Sequence, residues 1–64
     1  MICILKAGTT EEQKQMLIKW FEDQGLRVHE YEDENQTVLG LIGDTSGIDV
    51  EMLEMLENVE KVAM

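Results

Sequence analysis

The apolar positions of this chain switch between a period near two and a helical period, and each switch marks an element. Residues 2–6 are almost wholly apolar and β-branched at Ile2 and Ile4, which predicts a buried strand. Ala7-Gly8 breaks it. Thr9-Thr10-Glu11-Glu12 reads as a helix start: Thr9 is the cap, Glu12 its capping-box partner three residues on, and two acids suit the positive end of a helix. Met16, Leu17, Trp20 and Phe21 then form an apolar stripe on one helix face. Gly25 is the expected terminator, since glycine adopts positive φ freely. From Leu26 to Glu32 the chain alternates, with Leu26 and Val28 to one side and Arg27, His29 and Tyr31 to the other. Asp33 to Gln36 is a polar turn and Thr37 to Ile42 is apolar again, so these segments predict a hairpin. After a loop over 43–47, Ser46 or Asp49 caps a second helix over about 48–57. Val50, Met52, Leu53 and Leu56 share one of its faces, and Glu51, Glu54 and Glu57 lie on the other side. Asn58 ends it, and Val59 to Met64 forms a last, weaker strand.

The order β-α-β-β-α-β predicts an α+β, ferredoxin-like (split βαβ) fold: a four-stranded antiparallel sheet with two helices on one face. In that topology the first and third strands are central and the other two are edges. The first and third strands here are the apolar ones, and the second and fourth carry Arg27, Glu30, Glu32, Glu60 and Lys61. The sheet's other face then has no cover from this chain. Apolar central strands leave a patch there, built from alternate residues such as Cys3, Leu5, Leu39 and Leu41 or their neighbours. The expectation is that this face packs on a second copy or a neighbouring domain.

Size gives that expectation weight. A chain of 64 residues is one small domain, 1–64, with no linker. Domains of that length bury only about 60% of their unfolded surface and usually need a staple. One cysteine, Cys3, makes no internal disulfide, and one histidine beside it is a poor metal set, so no metal site is expected. The net charge of −9 repels phosphates, which disfavours nucleic acid and anionic membrane as partners. No apolar run is long enough to span a bilayer. A lone cysteine and an opening too short for a signal peptide point to the cytoplasm.

Candidate chemistry is sparse, and no catalytic residue is assigned. No serine nucleophile stands beside His29, and Gly40 and Gly43 lack the lysine and hydroxyl of a phosphate loop. The many carboxylates read as solvated acidic surface. Met16, Met52 and Met55 read as core filler and Cys3 as an inert strand residue. Arg27, His29 and Tyr31 remain: alternate residues of one strand share a face. A guanidinium, an imidazole and a phenol on a surface seeking a partner form either a site for a small polar ligand or an ordinary polar edge.

The segment from Met1 to Glu12 resembles the amino-terminal opening of one class of 3-deoxy-D-arabino-heptulosonate-7-phosphate (DAHP) synthases, with Ala7 where proline is usual. Thr37 to Asp44 resembles that family's third strand and its Gly-Asp exit, His29 falls in its second strand, and Val59-Glu60-Lys61-Val62 is similar to its fourth. The resemblance covers essentially the whole chain. It implies a ferredoxin-like regulatory domain, similar in role to an ACT domain, set before a (β/α)8 barrel. That barrel condenses phosphoenolpyruvate with erythrose 4-phosphate using a divalent metal and opens aromatic amino-acid synthesis, the shikimate pathway. The small domains pair, and tyrosine or phenylalanine binds between them. His29 matches the family's effector-binding histidine. Two residues on, the family uses a small hydroxyl residue, whereas this chain has Tyr31. The barrel's lysine, metal ligands and phosphate contacts have no counterpart here, so no cofactor and no catalysis are expected of these residues alone. The alternative is a ligand-free dimerisation or docking module, stand-alone or attached to another enzyme.

Overall fold

A computed structural model describes residues 1–63; the final residue of the predicted last strand, Met64, lies outside the described residues. The elements follow the predicted order: β1 (Ile2–Leu5), α1 (Glu11–Asp23), β2 (Arg27–Glu32), β3 (Thr37–Ile42), α2 (Val50–Glu54) and β4 (Val59–Ala63). They form one antiparallel sheet in the order β2-β3-β1-β4, with the helices on one face. This is the ferredoxin-like arrangement.

Local chemistry moves several boundaries. The cap of α1 is Thr10, not Thr9. The Gln13 amide donates to the Thr10 hydroxyl (3.1 Å), and the Thr10 amide donates to the Gln13 side chain (2.9 Å). Thr9 is already used: its hydroxyl donates to the Lys6 carbonyl at 2.7 Å and closes the turn after β1. Gln13 therefore replaces Glu12 as the reciprocal partner. Gly25, at φ 87°, ends α1 as expected. Asp49 caps α2 by accepting from the Met52 amide, while Ser46 is tied to Asp44 within the loop. α2 is shorter than its apolar pattern. The Lys6 amide at the end of β1 donates to the Asn58 carbonyl (2.8 Å), and the chain must leave the helix early to supply it.

The core is Cys3, Leu5, Phe21, Leu26, Leu39, Leu41, Leu53, Val59 and Val62, between sheet and helices. Thus Cys3, Leu5, Leu39 and Leu41 belong to the helix side, and their neighbours form the uncovered face. A bulge completes this core. Ile4 pairs with Lys61, yet Leu5 pairs with Val59, so Glu60 is the extra residue. The slip lets Val59 and Val62, three apart, both point inward. Three apolar assignments change. Met16 is 67% exposed, Met52 41% and Met55 84%, so none of the three fills the core. The place on α1 that faces β2 belongs instead to Lys14.

Candidate functional site

The pairing registers place every side chain of the uncovered face, because directly opposed residues in an antiparallel sheet share a face. One row across the sheet is His29, Gly40, Ile2 and Ala63. The next is Tyr31, Val38, Ile4 and Lys61. Arg27 opposes Ile42 in a third. The face therefore has an apolar centre and a polar margin on β2, and it includes the three residues singled out from the sequence.

Gly40 sits in the middle of this surface and leaves it without a side chain beside His29. A β-carbon added there would lie 3.7 Å from the His29 Cβ and 3.8 Å from the Tyr31 Cε2. The Tyr31 ring thus leans over the glycine and contacts the space that the missing side chain leaves. The ring is 63% exposed, and Ile2 and Ile42 are 43% and 51% exposed. These are large apolar exposures for strands at the heart of a fold, and they mark a surface suited to a partner. Basic side chains, Arg27 and Lys61, lie on this face of an otherwise acidic chain.

The back of β2 is held by a group that hydrophobic patterning missed. Glu30, between His29 and Tyr31, points to the helices. The Lys14 ammonium lies against its carboxylate, 2.9 Å from Glu11 and 3.6 Å from Glu32. Lys14 is the buried charged residue of the described chain, at 5% exposure. Hydrogen bonds to Glu30 and then to Glu11 hold its pKa well above the ordinary lysine value, against the opposing effect of desolvation. The bond to Lys14, aided by Gln15, holds the Glu11 carboxyl below its usual range. The signal was present in the sequence as lysine at the inward helical spacing and glutamate at the inward strand position; its meaning depended on the two meeting.

A second concavity lies on the opposite side of the molecule. It is a groove of about 490 Å³ between the helices, lined by Met16, Leu17, Trp20, Met52, Leu53 and Leu56. It contains none of the three sequence-selected residues. Among the described residues no three His, Cys, Asp or Glu side chains gather to hold a metal ion.

Comparison with known proteins gives this geometry a family. The family model described as the DAHP synthase ferredoxin-like domain matches residues 1–64. Phospho-2-dehydro-3-deoxyheptonate aldolase of Thermotoga maritima is 37% identical over 62 residues, which are 97% of this chain and 18% of that protein. A crystal structure of phospho-2-dehydro-3-deoxyheptonate aldolase (DAHP synthase) from the same organism superposes with a TM-score of 0.83 at 35% identity, covering 94% of this chain and 18% of that one. The chain thus spans about a fifth of the length of the relative that it matches. A match over the full sequence and a common backbone agree: the chain belongs to the DAHP synthase ferredoxin-like domain family.

Proposed function

We propose that this domain is the allosteric regulatory part of a DAHP synthase, that two copies pair through their uncovered sheet faces, and that an aromatic amino acid binds at the joint. The observation that carries this reading is the glycine-centred apolar face with His29, Tyr31 and Arg27 along its margin. One sheet face encloses little of a ligand, whereas binding sites for small molecules bury most of theirs. A second copy laid over the first supplies the missing wall. Phenylalanine or tyrosine suits the site: its ring meets Gly40, Ile2 and Val38, its carboxylate meets the Arg27 guanidinium, and His29 hydrogen-bonds its polar groups. Covering one such face, about 800 Å² per partner in a standard interface, would use roughly a fifth of the 4487 Å² surface. The barrel's condensation reaction, its substrates and its metal belong to the parent enzyme in this reading.

The test is thermal unfolding with each aromatic amino acid. Binding to the folded state at about a hundred times Kd stabilises by about 2.7 kcal/mol, roughly 20 °C for so small a domain. His29→Ala abolishes the shift. No shift with any of the three excludes the effector reading.

Tyr31 favours a second reading, that of a pairing module without ligand. Its ring already contacts the space above Gly40. In that case the domains associate with no dependence on amino acids, and Tyr31→Ser opens the site.

A further inference from the structure

The groove between the helices goes beyond this reading. Leu17, Trp20 and Leu53 are its more buried lining, and the exposed Met16, Met52 and Leu56 form its lips. Gln13, Glu57 and Asn58 are its polar lining. Buried apolar side chains normally close such a gap by packing helix on helix. Here α2 has only five residues and does not reach along α1, so the seam stays open. Methionine lips suit a surface that must adapt to another apolar side chain, because the thioether is flexible and polarisable.

The charges around the groove choose among occupants. Glu57 lines it. Glu12 stands one helical turn before Met16, which lines the groove. On the same flank of α1, Lys19 is paired with Asp23 at 3.9 Å. The margin is therefore acidic. A second copy brings the same carboxylates to a groove-to-groove contact and is repelled, unlike a contact through the face carrying Arg27 and Lys61. An amphipathic helix with leucine-like residues on one face and lysine or arginine on its flanks matches both floor and margin.

We propose that this interhelical groove is a docking site for a basic amphipathic helix of another protein segment. The leucine-like residues fill the trough over Leu17, Trp20 and Leu53, and the basic flanks meet Glu12 and Glu57.

The probe is a peptide of about 14 residues made of leucine and lysine, with leucines at helical spacing along one face. Its twin keeps the leucines and replaces every lysine with glutamate. Trp20 emission and the methyl NMR signals of Met16 and Met52 report on the groove, and Ile2 and Ile42 methyls report on the sheet face. The expected result is binding of the lysine peptide at least about tenfold tighter than the twin, weakening with salt. Met16 and Met52 signals shift, and those of Ile2 and Ile42 do not. Met16→Glu, at an exposed position, weakens binding while leaving the fold intact. Equal binding of the two peptides, shifts confined to the sheet face, or no binding of the lysine peptide at millimolar concentration overturns the proposal. None of these outcomes bears on the aromatic amino-acid site, whose test uses different ligands and a different face.

Discussion

The ammonium of Lys14 on α1 is buried against the carboxylate of Glu30 on β2. Glu30 lies between His29 and Tyr31 in the chain, so this contact anchors the edge strand from behind while those two residues face outward. It joins the helix layer to the strand that carries the candidate site. Lys14→Met leaves Glu30 without its partner and lowers the melting temperature. Lys19→Met, which removes a 3.9 Å pair between exposed side chains, has a much smaller effect. Adding Glu30→Leu to Lys14→Met recovers part of the loss, since an apolar pair needs no charge partner. Thermal unfolding of wild type and these three variants measures each effect.

The same cluster sets a pH signature. Lys14 has a raised pKa, so its contribution is complete below the ordinary lysine value and is lost only as pH climbs through the higher folded value. Glu11 has a lowered pKa, so its contribution is present above the ordinary carboxylate range and is lost as pH falls through the folded value. The stability difference between wild type and Lys14→Met is therefore flat from about pH 6 to 9 and shrinks in acid. Urea titrations from acid pH up through that range give the curve.

Phe21 is fully buried and meets Trp20 edge-on, with ring centroids 5.3 Å apart at 70°. Phe21→Ala removes a large core side chain at a cost of about 3–5 kcal/mol. A single core in so small a domain supplies little more than about that much stability. The variant is expected to be largely unfolded at 25 °C by circular dichroism, with red-shifted Trp20 emission.

Cys3 is fully buried, and burial pushes its thiol up to about 11. At pH 8 only about one molecule in a thousand then carries a thiolate. A disulfide reagent labels the native protein slowly and the urea-unfolded protein at the rate of a free cysteine, so labelling follows opening of the sheet.

The fold was readable because each strand declared its layer. Ile2 to Leu5 and Val38 to Ile42 lack charge, and that placed them centrally, where the observed order β2-β3-β1-β4 has them. Alternation along β2 put Arg27, His29 and Tyr31 on one face, as the register has them. What patterning missed was non-local. Which parity of β1 and β3 faces the helices is undetermined when both are apolar, so Cys3 or Ile2 had equal claim to the open face. The bulge at Glu60 depends on pairing with β1. Met16 matched the core stripe of α1, yet α2 is too short to cover it. Apolar patterning gives Lys14 no place in the core, because a buried lysine requires Glu30 and Glu11, which only the folded chain brings within reach.

The central claim joins pairing to an aromatic amino acid at the face of His29 and Gly40. Sedimentation equilibrium of the 64-residue chain, with and without saturating phenylalanine or tyrosine, tests both parts at once. The expected result is a mass that rises from monomer toward dimer on adding one of these amino acids. His29→Ala loses the response, and Ile42→Lys, on the same face, weakens pairing. A wild-type mass that ignores every aromatic amino acid contradicts the claim.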